Sequence, residues 1–414
     1  MSADTSYTTQ QATTDIENNQ TEKTHEENTG TAVDEKAESM PYRQDVFVAE
    51  AISLGILSIP KAIAGLGLAP AIIILLSMGL VASYTGYVIG QFKWHYPHVV
   101  SMADAGEVLM GRFGREVLFS GQMLFLIFLM ASHILTFTVA MNTLTDYGTC
   151  SLVFGVVGLV VSLVFSLPRT MKNMSWLSLA SFISIFIAVV IAMIAIGIEH
   201  PGSPVKAATE TNLVTGFTSA LSIILSYTSH NAFFNVIAEL KEPRDFPKAS
   251  TLLQSIDISP IVSKAAYGIA LPTIIIAGVI NGHITCKSIY TRVFAGMDRM
   301  HKRDLMAVGS WIGIVVALWV VAWIIATAIP VFSSLLSLMT ALFASWFSFS
   351  LPGVFWLFMN KGLWFSSLRK IALTYLNCFC FIIGVVMCGL VVYASGKAIH
   401  DDPSSASFSC ANNA

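Results

Sequence analysis

From about residue 46 onward the chain alternates between apolar runs of roughly twenty residues and short polar or basic stretches. About twenty apolar residues, wound as an α-helix, match the ~30 Å hydrocarbon core of a bilayer. The runs fall at about 46–67, 69–90, 117–141, 151–167, 176–198, 213–239, 266–290, 308–329, 331–358 and 371–395, and each predicts a membrane-spanning helix. A membrane β-barrel would instead alternate apolar and polar residues in segments of about ten, which this chain does not do. The predicted fold class is therefore an all-α multi-spanning membrane protein.

Two of these runs carry residues that a plain membrane anchor avoids. The first contains Gly55 and Pro60 within "SLGILSIP", together with Glu50 and Lys61. Gly55 loosens a helix, and Pro60 removes a donor and clashes one turn back. An unwound stretch is tolerated in lipid only where it lines a cavity or is buried in protein, and its bare N–H and C=O groups can then hold a ligand. A proline kink that serves packing is the competing explanation. The sixth run, "SALSIILSYTSHNAFFNVIAEL", places Ser219, Ser222, Ser226 and His230 on one helix face and concentrates polarity at Tyr227, Thr228, Ser229, His230 and Asn231. Carriers built from two inverted halves place interrupted helices at matching positions, and runs 1 and 6 match if each half has five spans. Interhelical hydrogen bonding without a ligand would also account for the serines of run 6.

Composition adds two points. Charged residues make up 12% of the 414 and hydrophobic ones 55%, with a mean hydropathy of +0.69, against about 25% charged in soluble domains. Much of the acid sits in residues 1–40, which hold nine Asp or Glu, two Lys or Arg and almost no large apolar side chains. Such a stretch cannot offset its chain entropy by burial, so 1–40 is expected to be a disordered acidic tail. It precedes a transmembrane domain at 41–398 and a short polar tail at 399–414. The tail lacks the layout of a cleavable signal peptide, so the first span is expected to be retained. The six cysteines show no zinc or redox spacing and are read as small buried hydrophobes. A bridge between Cys150 and Cys410, both near predicted outer ends, is the alternative.

Basic residues set the orientation. Lys93, Arg112 and Arg115 fall between runs 2 and 3, Arg169 and Lys172 between runs 4 and 5, and "LKEPRDFPK" follows run 6. These loops and the N-terminus are expected on the cytoplasmic side, with the plasma membrane preferred over the vacuole as host. The second half then conflicts with itself. Both "LKEPRDFPK" and "RVFAGMDRMHKRD" should be cytoplasmic, yet one clear span lies between them. Parity calls for another crossing between about 248 and 264, where the residues are too few and too polar to supply one. A lost span is favoured over a re-entrant segment.

Further stripes mark other helices. Ser132, His133, Thr136 and Ala140 share a face in the third run, with Phe137 beside them as a candidate apolar wall. Thr273, Ala277, Asn281 and Thr285 recur every four residues in the seventh, with His283 adjacent. Ionisable groups inside the runs include Glu50, His133, His230, Glu239 and His283, and such groups are functional candidates in lipid. His230 titrates near neutrality and sits in the most polar patch, so it leads for proton coupling, followed by Glu50. Packing or interfacial roles compete at His133, His283, Glu239 and Glu50. No phosphate loop, nucleophile–base set or metal spacing is present. The sequence therefore predicts no enzyme, no metal, no cofactor and no nucleic-acid partner, and with no charged ring in the spans a channel is disfavoured.

At "AEAISLGILSIPKAIAGLGL", "GYVIGQFKWHYPHVVSMADAGEVL" and "ELKEPRDFPKA", and again at "KRDLMAVGSWIG" and "LFASWFSFSLPGVFWLFMN", the chain resembles the fungal neutral amino acid permeases of the amino acid/auxin permease family. The resemblance implies a leucine-transporter-like five-plus-five inverted repeat with about ten of the family's eleven spans present. It implies import of neutral or aromatic amino acids coupled to a proton, with sodium as the alternative ion. It also implies substrate contacts at Ile52, Ser53, Leu54, Gly55, Ile56 and Leu57 in the first span and at Tyr227, Thr228, Ser229, His230 and Asn231 in the sixth. His133, Phe137 and Asn281 are expected to wall the pocket. The chain departs from the pattern at the front of span 1 and across most of the family's span 7. That predicts a shortened form, whose transport competence is a separate question from its architecture. A non-transporting amino acid sensor with the same fold is the second functional expectation.

The orientation yields a direct test. The sequons at Asn19 and Asn173 are both placed on the cytoplasmic side, so protein from a glycosylating host should show no mass shift on glycosidase treatment.

Overall fold

The structure is a computed structural model that describes residues 63, 65–146, 148–168, 180–181, 183–184, 187–188, 207–227, 263–294, 305–329, 332–401, 408 and 410. The described residues form nine helices: α1 (Leu68–His95), α2 (Met102–Leu144), α3 (Ser151–Ser166), α4 (Leu213–Leu225), α5 (Ser263–Val293), α6 (Leu305–Ala328), α7 (Phe332–Met339), α8 (Leu351–Met359) and α9 (Leu368–Asp401). Between α7 and α8 the backbone widens into π-helical turns at Thr340–Ala344 and Trp346–Ser350, so α7 to α8 is one continuous rod. Among these residues six helices are long and apolar enough to cross a bilayer, and the shorter α3 is equally apolar. Together with α4, which covers only the front of the sixth, these helices overlap eight of the ten predicted spans. Most of the first span and most of the fifth lie outside the described residues.

α2 is the hub. From Met130 to Thr138 every side chain is buried, on all sides of the helix, and α3, α5, α6 and α7 surround it. The outer helices are one-sided. α6 buries Ala307, Trp311, Val315, Leu318, Trp319, Ala322 and Ala326 at helical spacing and leaves Ile312, Val316, Val320 and Ile324 exposed. α1 likewise exposes Ile73, Leu76 and Leu80 while burying Ala82, Thr85, Gly86 and Ile89. Lipid is as apolar as leucine, so such helices associate through close packing and hydrogen bonds rather than by escaping water. Small residues and glycines therefore mark the inner faces.

The sequence pattern placed the start of the third span at 117, whereas α2 begins at Met102. Ser101 and Asp104 form a reciprocal capping box at its start. The chain then turns at Met110 and Gly111, the latter at φ 65°, a left-handed conformation that favours glycine. The first turns fold back so that Gly106 and Gly114 meet backbone to backbone, a contact with no room for a Cβ. Glu107 pairs with Arg115 across the corner at 3.1 Å.

Helix directions are consistent throughout. Arg292 at the end of α5 pairs with Glu116 near the start of the α2 span. Phe92 of α1 stacks on Phe355 of α8 at 4.5 Å. One end of the bundle thus gathers Lys93, Arg115, Arg292 and the α8–α9 loop with Lys361, Arg369 and Lys370. Lys93 is buried there and donates to the carbonyls of Pro97 and Val99 at 2.6 and 2.5 Å, a cation at a helix C-terminus. At the opposite end Asn142 donates to Ser151 at 2.8 Å, Ala69 N–H donates to Ala207, and Gly268 lies against Leu144. α4 and α5 both start at this opposite end. Residues 228–262 between them, where parity calls for a further crossing, lie outside the described residues.

The cysteines correct one expectation. Cys150 and Cys410 form a disulfide across 260 residues of sequence, while Cys286, Cys378, Cys380 and Cys388 are free. Two residues of the polar C-terminal tail, Phe408 and Cys410, lie against the bundle. Phe408 N–H donates to Thr327 at the end of α6 at 3.2 Å, and its ring meets Trp323 edge-on. That docking brings Cys410 to the residue that opens α3, a proximity that spacing along the chain does not encode. Without reductant, alkylation followed by mass spectrometry should leave Cys150 and Cys410 unlabelled. Cys410→Ser should lower the melting temperature by several degrees, a loss of about 2–4 kcal/mol for closing so long a loop. Labelling of Cys150 in the unreduced native protein would disprove the pairing.

Candidate functional site

The third and seventh predicted spans, which sequence patterning singled out for their polar stripes, pack directly on each other as α2 and α5. Their contact is set by a glycine. A Cβ placed on Gly278 would sit 3.0 Å from the Cβ of His133 and 3.5 Å from the Trp319 ring. One turn on, a Cβ on Gly282 would meet the same Trp319 ring at 3.0 Å. The indole is fully buried and donates to Ser166 Oγ on α3 at 3.0 Å. One tryptophan thus fills the groove that two glycines leave open and ties α5 and α6 to α3.

His133 is held in this seam. It is buried, the Ile274 backbone lies beside it, and neither ring nitrogen has a hydrogen-bond partner of acceptable geometry within the protein. Phe137, one turn along α2, lies in an apolar cluster with Ala140, Ala188, Ala270 and Ile274 and presses on Gly158 of α3, where a Cβ would approach to 2.8 Å. On α5, Asn281 is fully buried. Its Nδ2 donates to the Ala277 carbonyl at 3.1 Å, while its Oδ1 has no partner. Thr285 donates to the Asn281 carbonyl and Thr136 to the Ser132 carbonyl, each at 2.7 Å, so these hydroxyls are satisfied within their own helices. Thr273 instead reaches across to the Ser181 carbonyl at 2.7 Å, and Ser184 donates to Ile269. The His283 ring lies tilted against Trp311, with centroids 5.1 Å apart, away from His133 on the helix, and its Nε2 is unpartnered.

A buried polar atom without a partner costs about 1–3 kcal/mol, and native structures hold few of them. His133 and Asn281 carry three such atoms between them, on two helices that pack together, with His133 lying against Gly278, three residues before Asn281 on α5. Imidazole offers a donor and an acceptor and the amide oxygen an acceptor. These are uncharged hydrogen-bonding groups, the kind that would meet a neutral polar molecule.

Tyr227 lies elsewhere. Its hydroxyl donates to the Leu75 carbonyl of α1 at 3.0 Å, its ring flanks Gly79, and it clusters with Ala71, Ala82 and Ile223. The structure thus brings His133 and Phe137 together with α5, and sets Tyr227 in a separate cluster. Glu50, Ile52, Ser53, Leu54, Gly55, Ile56, Leu57, Thr228, Ser229, His230 and Asn231 lie outside the described residues. Sequence patterning passed over the π-helical turns, where Ser345, Ser348 and Ser350 are buried and Ser348 Oγ has no partner. Their signal was present as three hydroxyls in "SWFSFS" within an apolar run. π-Turns are rare and concentrate at functional sites.

Comparison with known proteins decides the class. Residues 45–270 match the family described as transmembrane amino acid transporter protein. The chain belongs to that family. It is 33% identical over 393 residues to the N amino acid transport system protein of Neurospora crassa, covering 86% of this chain and 84% of the relative. Proteins described as transmembrane transporters from Gibberella moniliformis and Fusarium pseudograminearum are 25% and 26% identical over 353 and 348 residues, covering 77% and 75% of this chain and 74% and 73% of theirs. In each case the aligned length exceeds the share of this chain that it covers, so these transporters carry residues opposite gaps in this chain. The family is one of transporters, and this protein is an integral, multi-pass membrane protein of it.

Replacing Asn281 with Leu separates a ligand-facing role from packing. The change deletes the unpartnered Oδ1 at similar volume, so thermal stability in detergent should hold or rise by up to about 1 kcal/mol. Amino acid uptake should fall at least tenfold. Unchanged uptake would leave Asn281 as core packing.

Proposed function

We propose that this protein is a secondary active carrier that imports neutral or aromatic amino acids, coupled to a proton or, as the alternative ion, to sodium. The observation that carries this is the family match over residues 45–270, joined to the relative from Neurospora crassa that spans most of both chains. The α2–α5 seam supports a substrate without net charge. Its unpartnered atoms at His133 and Asn281 are neutral hydrogen-bonding groups, and the neighbouring Phe137 cluster is apolar.

In this proposal the zwitterion's carboxylate and amine meet bare peptide groups at Ile52 to Leu57 and at Tyr227 to Asn231. A half-helix amino end attracts the carboxylate, and a carboxyl end the amine. His133, Phe137 and Asn281 wall the side-chain pocket, and His230 or Glu50 carries the coupling proton. The fold proposed is the five-plus-five inverted repeat, lacking part of the first span and one later crossing.

The proposed orientation places the N-terminus and the basic end in the cytoplasm, with the plasma membrane as host. Two independent features support it. Cations collect at one end, as cytoplasmic loops do. The Cys150–Cys410 disulfide lies at the other, and disulfides persist in oxidising compartments rather than the cytosol.

Uptake of radiolabelled neutral amino acids into a permease-deficient fungal host tests the proposal. Uptake should exceed the empty-vector control and should collapse with an uncoupler. Gly55→Leu, which crowds the proposed open backbone, should abolish it without loss of expression. Binding of amino acid with no flux would favour the sensor instead.

A further inference from the structure

The loop from Asn360 to Ser367 and the first turn of α9 form the part of the described basic end whose charge is left unanswered. It carries Lys361, Arg369 and Lys370, and from Leu305 to His400 the sequence holds no Asp or Glu. The described carboxylates at this end are already engaged. Asp104 accepts from the N–H groups of Val100 and Ser101, Glu107 pairs with Arg115, and Glu116 pairs with Arg115 and Arg292. Lys370 donates to the neutral Asn360 Oδ1 and lies 5.4 Å over the Trp356 ring. Lys361 and Arg369 are exposed and meet no carboxylate among the described residues.

The loop is also built rather than slack. Gly362 turns the chain at φ 84°. Leu363 N–H returns to Asn360 at 2.9 Å, Trp364 Nε1 donates to the Leu357 carbonyl at 2.9 Å, and Thr374 Oγ1 donates to the Trp364 carbonyl at 3.1 Å. Ser367 Oγ accepts from Lys370 N–H at the start of α9. Pinned in this way, the loop holds three large apolar side chains outward: Leu363, 53% exposed, Phe365, 68%, and Leu368, 86%. Large apolar groups beside uncompensated cations, on a helix connection of a membrane protein, match the interfacial layer of a bilayer. There the ring and leucines enter the acyl boundary while the ammonium and guanidinium meet phosphate.

From this we infer that the α8–α9 loop is a binding site for the headgroup of an anionic phospholipid, with Lys361 and Arg369 as its phosphate-facing cations and Phe365 as its membrane-inserted wedge. Lys370 positions the loop through Asn360 and Trp356. The occupant is a lipid rather than a free phosphate because the cations flank exposed apolar side chains that a soluble anion would leave in water.

The test uses the full chain in nanodiscs of phosphatidylcholine alone or with phosphatidylserine of the same acyl chains, reading retained lipid by native mass spectrometry. Wild type should retain phosphatidylserine over phosphatidylcholine by on the order of tenfold, and Lys361→Ser with Arg369→Ser should bring the ratio close to one. The melting temperature in pure phosphatidylcholine should not change between the two, which separates headgroup binding from folding. Phe365→Ser should weaken retention of both lipids while keeping the ratio. Should the double variant fail to fold, Arg369→Gln alone should still lower the ratio severalfold. Equal ratios in wild type and variant would overturn the inference, as would displacement of the lipid by millimolar inorganic phosphate.

Discussion

The close approach of α5 to α2 through Gly278 is the contact on which the rest of the described bundle depends. In a bilayer, helices gain little by leaving lipid for one another, so packing must be tight to be favourable. Gly278 allows the His133 side chain to lie against the α5 backbone, and Gly282 admits the Trp319 ring one turn away. The same indole then bonds Ser166. Four helices, α2, α3, α5 and α6, are thereby fixed by two glycines, one tryptophan and one serine. Substituting either glycine would displace a side chain that is itself fully enclosed, with no solvent-facing direction in which to move.

That tight seam is also where polarity is retained without being satisfied. Most buried hydroxyls of the spans return to the carbonyl three or four residues earlier, as Thr136, Thr138, Thr285 and Thr340 do. His133 and Asn281 have no such local solution, since an imidazole and the far side of an amide do not reach back along their own helix. Unpartnered atoms also occur at Asn142, Ser181, Ser226, His283, Trp323, Ser348 and Asn377, but among the described residues only His133 has two of them. His133 and Asn281 are candidates because both carry such atoms on helices that pack together, and their groups suit a neutral ligand more than a charged one.

The two ends of the bundle differ in chemistry as well as in charge. One end is held by ion pairs and a cation–π contact, with Arg292 lying 4.1 Å over the Phe119 ring. The other is held by a covalent bond and by backbone hydrogen bonds between α1 and the segment that precedes α4. Ion pairs at a surface can be exchanged and are worth little individually, whereas a disulfide cannot open without a reductant. The basic end is thus the more adaptable face, and the bridged end the more rigid.

Hydrophobic run length alone determined that the chain is helical, that it crosses a membrane repeatedly and where most crossings lie, because apolar thickness and helical rise leave one solution. It marked the stripes on α2 and α5 as well, since four-residue recurrence of small and polar residues is visible without coordinates. Loop charges also showed a parity conflict between the two basic stretches that flank the seventh run, and α4 and α5 both start at the same end of the bundle. What the tertiary structure decided was pairing. Nothing in the spacing of Cys150 and Cys410 told whether they meet, because their proximity depends on Phe408 docking at the end of α6. Nor could periodicity tell that Thr273 spends its hydroxyl on Ser181 while Asn281 leaves an oxygen unspent, or that Tyr227 belongs with α1 rather than with His133. Periodicity fixes which face of its own helix a side chain occupies, whereas the neighbour it meets depends on how helices distant in sequence are brought side by side.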